Sequence, residues 1–247
     1  MFKKVKYGIN KLFATLALLS LELIIVLVAF FSSLLLVSYI VRRVFLLNKT
    51  DLDFTVFNYL SRFVSTSTTK FMQAVTIFGS HYFLIPANLL LIAYFLFIKK
   101  HKWHSIRIPA VALTSLLLMF TLKFFFNRPR PLIPLLHKVG GLSFPSGHAF
   151  MSFSFYGLLI FLCWKYIHNK TLKWAMIAAL FFFILLIGTS RVYLRVHYAS
   201  DVVAGFCLGL MWLVLSLWIL RKIEKRSLQK AALKVAAKMD TQIAGGE

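Results

Sequence analysis

Trp174-Ala-Met-Ile-Ala-Ala-Leu-Phe-Phe-Phe-Ile-Leu-Leu-Ile-Gly-Thr189 runs without a charge straight into Ser190-Arg191-Val-Tyr-Leu-Arg195-Val-His197-Tyr-Ala-Ser-Asp201. A second apolar run, 202–220, follows at once. Each run is close to the roughly 20 residues that cover about 30 Å of hydrocarbon. In lipid the backbone must satisfy its own hydrogen bonds, so both runs read as helices. Four further apolar runs lie at 12–41, 82–98, 108–126 and 148–164. The pattern predicts an all-α chain, a six-transmembrane-helix bundle, with the polar 190–201 segment at one membrane face.

Composition agrees. The chain has 247 residues, is 60% hydrophobic and only 15% charged, and carries 7 acidic residues. A soluble domain of this size would be near a quarter charged. The first run is longer than a span needs and contains Glu22, so the span is placed toward 23–41 with 1–21 along the interface. Lys3, Lys4 and Lys6 give the start the look of a secretory leader. The apolar stretch is too long for one and no small-x-small site follows, so an uncleaved anchor is expected.

A net charge of +22 raises nucleic acid as a partner, but the distribution argues for a bilayer. With the amino terminus cytoplasmic, 18 of the 29 basic residues fall in inner segments and 11 in outer ones. The positive-inside rule then puts both termini in the cytoplasm, in a cell (inner) membrane. Trp103, Trp164, Trp174 and Trp218 fall at the inner ends of spans, where aromatic belts form. Cys163 and Cys207 lie inside apolar runs without ligand or disulfide spacing and read as small buried hydrophobes.

Residues 1–220 read as one membrane domain. The longest connection, 42–80, carries Asp51, Asp53 and a Ser/Thr cluster at Ser65–Thr69. Phe54, Phe57, Leu60, Phe63 and Val64 recur at helical spacing, which predicts an interfacial helix in this first outer loop. It either covers a site or serves packing. Gly205 and Gly209 lie on the face of Asp201 and predict a close helix–helix approach. Beyond the last span, 221–247 reads as a basic amphipathic tail. Lys222, Arg226, Lys230, Lys234 and Lys238 line one face; Leu228, Ala232, Val235 and Met239 line another. Such a helix suits the anionic inner leaflet.

Three segments at run boundaries describe one phosphate-handling site. They are Lys123 to Arg130-Pro131, Pro145-Ser146-Gly147-His148, and Ser190-Arg191 through His197 to Asp201. Together they resemble the lipid phosphate phosphatase (type 2 phosphatidate phosphatase) superfamily. Its signatures read Lys, six residues, Arg-Pro; Pro-Ser-Gly-His; and Ser-Arg, five residues, His, three residues, Asp. All three match over 123–201 without a gap and in the family's order.

Lys123, Arg130 and Arg191 would supply fixed positive charge to phosphoryl oxygens, Arg through its fork and Lys as a point charge. Ser146 can cap a helix, and Gly147 lets the first-turn amides approach an anion. His197 and Asp201 are four residues apart, on one face of a helix that begins near Tyr198. The spacing leaves open which His attacks. The resemblance implies that His197 is the nucleophile, forming a phosphohistidine, with Asp201 orienting it. It also implies that His148 is the acid that protonates the leaving alkoxide and later activates water. Arg128 and Arg195 read either as headgroup contacts or as solvated loop charges. His81, His101, His104, His137 and His168 show no ligand spacing.

The implied activity is metal-independent hydrolysis, without cofactor, of a lipid phosphate or diphosphate: phosphatidate, phosphatidylglycerol phosphate, undecaprenyl diphosphate or a lipid A phosphate. The site would face outside. A lipid-to-lipid phosphotransferase would use the same residues, and a non-enzymatic lipid phosphate binding or transport protein would not need both His and Asp201. Vanadium haloperoxidase chemistry, known in soluble members, does not suit these apolar spans. Expected partners are the lipid phosphate substrate and the bilayer, with no nucleic acid and no obligate protein.

Overall fold

The computed structural model of the protein describes residues 23–135 and 140–244. The expected interfacial segment 1–21, with Glu22 after it, lies outside the described residues, as do His137 and Lys138. So do the side chains beyond Leu233, including Lys234, Val235, Lys238 and Met239 of the tail. The described residues form helices, turns and loops, with no strand among them. In chain order the helices are α1 (Leu23–Leu46), α2 (Asp51–Ser61), α3 (Thr66–Ile77), α4 (His81–Ala93), α5 (Lys102–Phe126), α6 (Gly147–Tyr166), α7 (Lys170–Tyr193) and α8 (Ala199–Ala244). Six helical stretches are long and apolar enough to cross a membrane: Leu23–Leu46, Thr66–Ile98, Lys102–Phe126, Gly147–Tyr166, Lys170–Tyr193 and Ala199–Leu233. Leu35, Leu117 and Phe124 stand exposed on them, a surface that suits lipid rather than water.

The helices begin where side chains can satisfy first-turn amides. Ser65 Oγ accepts from the Thr68 amide, Ser146 Oγ from Ala149, and Asn169 Oδ1 from Leu172. Asn127 ends α5 in the left-handed region (φ 44°, ψ 37°), a conformation Asn tolerates better than most residues. The chain turns there and sends Arg128 inward rather than along the helix.

The 42–80 connection folds as two helices, α2 and α3, rather than one, and Phe57 of α2 is buried with Ala149, Val192 and Val202. The α3–α4 turn at 78–80 brings Gly79 against the site: a Cβ there would stand 2.8 Å from Ser152 Oγ and 3.2 Å from His148 Cδ2. The fourth apolar run, expected at 148–164, is the centre of the bundle. Half of the membrane-length window of α6 is buried, against 11% for α1. Phe155, Tyr156, Ile184 and Ile187 pack α6 on α7; Leu158, Leu162 and Leu213 pack it on α8. At the end away from 190–201, Arg107 of α5 pairs with Glu224 of α8. The last span and the tail form one uninterrupted helix, Ala199–Ala244.

The expected close approach of Gly205 and Gly209 is to α6. A Cβ on Gly205 would lie 2.8 Å from the Ser146 carbonyl oxygen, and one on Gly209 would lie 2.9 Å from Phe153 Cβ and 3.0 Å from the Phe150 carbonyl oxygen. The obstacle at Gly205 is backbone, which cannot swing away. Gly205→Val is therefore expected to cost about 1–3 kcal/mol of stability, read as a lower thermal midpoint in detergent. Turnover should fall as well, because α8 carries Asp201 and moves with its own glycine. An unchanged midpoint would mean that the two helices can separate freely.

Candidate active site

Four helix ends and two loops meet at one end of the bundle. Lys123 sits in the last turn of α5 and its Nζ donates to the Leu142 carbonyl at 2.6 Å. Arg130, on the loop after α5, donates from Nε to the Gly141 carbonyl at 3.1 Å and from Nη1 to the Val196 carbonyl at 3.0 Å. Arg191, in the last turn of α7, is buried; its Nη1 donates to Thr76 Oγ1 at 2.6 Å while Nε has no partner among the described residues. A buried guanidinium with a spare N–H is a costly arrangement unless an anion completes it.

The N-terminus of α6 faces the same space. Ser146 is its cap, and the Ser146 amide donates to the Asp201 carbonyl at 3.0 Å, which ties the second signature to the third. The amides of Gly147 and His148 have no partner among the described residues, as expected of a helix's first turn. Gly147 also makes room beside Lys123: a Cβ on it would be 3.7 Å from Lys123 Cε. An anion seated here would meet two free amides and the positive end of α6. Among the described residues no three His, Cys, Asp or Glu side chains gather as metal ligands.

His197 lies in the loop between α7 and α8 and is buried. Its Nδ1 is 2.8 Å from the Ser143 carbonyl oxygen and 3.7 Å from Asp201 Oδ2. A carbonyl only accepts, so Nδ1 carries the hydrogen and Nε2 keeps its lone pair. Nε2 is 3.4 Å from Arg130 Nη1, on the side where phosphate would sit. Burial pushes the imidazole down to about 4, with Asp201 working against the shift. The ring is thus neutral at neutral pH, with an unprotonated Nε2 turned toward Arg130.

Asp201 does sit beside His197, as the four-residue spacing predicts, but it is not the direct partner of Nδ1. Its Oδ2 accepts from Ser143 Oγ at 2.5 Å and from the Tyr198 amide at 2.9 Å; its Oδ1 accepts from Arg128 Nη1 at 2.5 Å. The helix starts at Ala199, so His197 precedes α8 and its ring turns toward the Ser143 backbone. Arg128 is neither a headgroup contact nor a solvated charge. It is buried, bonded to Asp201 and, through Nη2 at 2.9 Å, to Asp53 Oδ2. Arg195 occupies the left-handed region (φ 53°) where the chain leaves α7. Ser143, Asp53 and Thr76 are therefore parts of the site that spacing did not single out, and Arg128 belongs to it in another role than expected.

The PAP2 superfamily profile matches residues 105–225, a stretch that holds all three polar segments. Phosphatidylglycerophosphatase B of Bacillus subtilis (strain 168) is 35% identical over 143 residues, covering 57% of this chain and 69% of that protein. The chain belongs to the PAP2 superfamily. A putative undecaprenyl-diphosphatase, YbjG of Escherichia coli (strain K12), is 32% identical over 111 residues, 43% of this chain and 52% of that one. The solved transmembrane PAP2-type phosphatidylglycerolphosphate phosphatase of Bacillus subtilis has a TM-score of 0.68 at 26% identity, over 80% of this chain and 96% of that one. Aquifex aeolicus LpxE has a TM-score of 0.52 at 32% identity, over 68% of this chain and 97% of that one. With its six apolar helices, this PAP2 protein is an integral membrane hydrolase of lipid phosphates.

Proposed function

We propose that the protein cleaves a terminal phosphate from a lipid phosphate or diphosphate through a phosphohistidine on His197 Nε2. The observation that carries this reading is the His197 ring, with Nδ1 held by the Ser143 carbonyl and Nε2 aimed at the space bounded by Arg130. The phosphoryl oxygens take their charge complement from Lys123, Arg130 and Arg191 and from the amides of Gly147 and His148. Nε2 attacks phosphorus, the bond to the lipid oxygen breaks, and its electron pair leaves with that oxygen. His148 donates a proton to the departing oxygen. The phosphorylated ring still bears hydrogen on Nδ1 and is cationic, which the carbonyl of Ser143 and the carboxylate of Asp201 stabilise. His148 then takes a proton from water, which attacks phosphorus and releases orthophosphate and the free ring.

Phosphatidylglycerol phosphate heads the candidate substrates, because the relative matched over 69% of its length bears that name. Purified protein in mixed micelles is assayed for orthophosphate release from phosphatidylglycerol phosphate, phosphatidate, undecaprenyl diphosphate and lipid A phosphates. Release from none of them, or transfer to lipid without orthophosphate, would end the hydrolase reading.

The excess of basic residues in four segments supports an inner-membrane protein with cytoplasmic termini and an outward-facing site. The domain reading is 1–220 for the embedded hydrolase and 221–247 for a basic surface tail, with α2 on the outer interface. Reporters fused after residues 104 and 169 are expected to read cytoplasm, and those after 138 to read outside. The reverse pattern would invert the site.

The pH profile is a separate expectation. A neutral nucleophile is lost as pH falls through its own pKa, so the acid limb belongs near 4 rather than near the ordinary 6.5. It is read from kcat/KM against pH after the substrate's own phosphate ionisation, titrated separately, is divided out. A limb remaining at 6.5 would place the nucleophile in solvent.

A further inference from the structure

Asp201 is bonded to a guanidinium on the side away from His197. An isolated Arg128–Asp201 pair would be close to neutral and would offer little to the cation that forms on the ring. Asp53 changes that. Its Oδ2 accepts from Arg128 Nη2 at 2.9 Å and from Ser200 Oγ at 2.7 Å, and its Oδ1 accepts from the Ser200 amide at 2.8 Å. Arg128 Nη1 also donates to Ser200 Oγ at 2.8 Å, and the guanidinium lies 4.0 Å above the Tyr198 ring. Asp53 is 2% exposed, Arg128 6% and Asp201 0%. Two carboxylates thus share one guanidinium away from water, leaving one net negative charge. Its ring-facing oxygen is 3.7 Å from His197 Nδ1.

We propose that Asp53 is an electrostatic positioning residue for the reaction: it engages Arg128 from behind, so that Asp201 keeps a net negative charge facing the phosphorylated His197. The inference rests on the reading of His197 as nucleophile. In low-dielectric surroundings a charge at this distance acts strongly on an imidazolium, whereas a compensated pair does not. It also gives α2 a part in catalysis: the first outer loop supplies the second carboxylate through a buried contact with α8, not through substrate.

Four full-length proteins test this: wild type, Asp53→Asn, Arg128→Gln and the double variant. Asp53→Asn keeps the shape but leaves Arg128 and Asp201 as a neutral pair. Phosphoenzyme formation is expected to slow on the order of tenfold or more, and the acid limb of kcat/KM to move to lower pH. The double variant removes one charge of each sign, restoring the net negative charge on Asp201, and should recover rate and limb toward wild type. Arg128→Gln alone leaves two carboxylates and should move the limb to higher pH.

The other groups facing His197 are unchanged in all four proteins: Arg130 from the loop after α5, Arg191 of α7 and His148 of α6. A double variant as slow as Asp53→Asn, or an unmoved limb, would make Asp53 a merely structural contact and overturn the proposal. Wild-type behaviour of Asp53→Asn overturns it too. Should Asp53→Asn fail to fold, the double variant is compared with Arg128→Gln. Loss of Asp53 in that background should move the limb back to lower pH, and an equal limb in the two overturns the proposal. His197→Ala, run in parallel, separates the two levels. If it still turns over, the nucleophile reading has failed; if it is dead while Asp53→Asn is normal, only the role of Asp53 has.

Discussion

His197→Ala abolishes turnover of every lipid phosphate, down to the background of vesicles without enzyme. The expected loss is complete because the proposed covalent step rests on His197 alone. Nε2 of His197 is the ring nitrogen set against Arg130, while His148 sits one residue into α6 among the amides that would bind phosphate. Removing the ring also leaves the buried Ser143 carbonyl without its partner, a cost of about 1–3 kcal/mol to stability. Activity is therefore read beside the thermal midpoint and the elution profile, so that a fold defect is not mistaken for a chemical one. Radiolabelled substrate quenched in alkali, which preserves the nitrogen–phosphorus bond, should label wild type and leave the variant blank. Label retained on the variant would move the nucleophile elsewhere.

His148→Ala is expected to lose about 10²–10⁴ in kcat on alkyl phosphates, the usual worth of a positioned proton donor. The slowing of phosphoenzyme formation, read as the first-turnover burst, should shrink with p-nitrophenyl phosphate, whose leaving group departs as a stable anion. Because the same ring would activate water in the second step, phosphoenzyme should then accumulate: formation becomes easy while hydrolysis stays slow. Gly79 backs this ring from the α3–α4 turn, its Cβ position 3.2 Å from His148 Cδ2, so the cavity left by alanine is walled on that side. Equal losses on activated and unactivated esters, with no accumulated phosphoenzyme, would take proton transfer away from His148.

Much of the architecture is legible in one dimension. Uninterrupted apolar runs of membrane length leave the backbone no partner but itself, so 174–189 and 202–220 are helices wherever they are placed. Gly205 and Gly209 predicted a close approach from their spacing, and the structure makes α6 the neighbour, with its Ser146 and Phe150 carbonyls in contact distance. Lys123, Arg130, Ser146, Gly147, His148, Arg191, His197 and Asp201 converge at one end because each sits where a helix starts or stops. Alternating spans return every second boundary to the same face.

Other features of the site had no local signature. Arg128 is two residues from Arg130 and indistinguishable from it by type, yet one faces the proposed phosphate space and the other turns inward, because Asn127 ends α5 in the left-handed region. Asp53 belongs to a loop whose apolar spacing predicts a helix but says nothing of its partner. Its burial against Ser200 is a contact across 147 positions. Ser143 holds the ring through its carbonyl, a group every residue possesses, and its hydroxyl reaches Asp201 across 58 positions, so no local pattern could point to it. By itself, then, the sequence determined the spans, their ends and the side chains gathered there, since these follow from local polarity in a medium that cannot bond to the backbone. Only the tertiary structure decided how those charges are shared: which oxygen holds His197 Nδ1, and that Asp201 faces it with Arg128 and Asp53 behind. A buried charge is compensated by whatever the packing of distant helices brings to it, and spacing along the chain does not encode that.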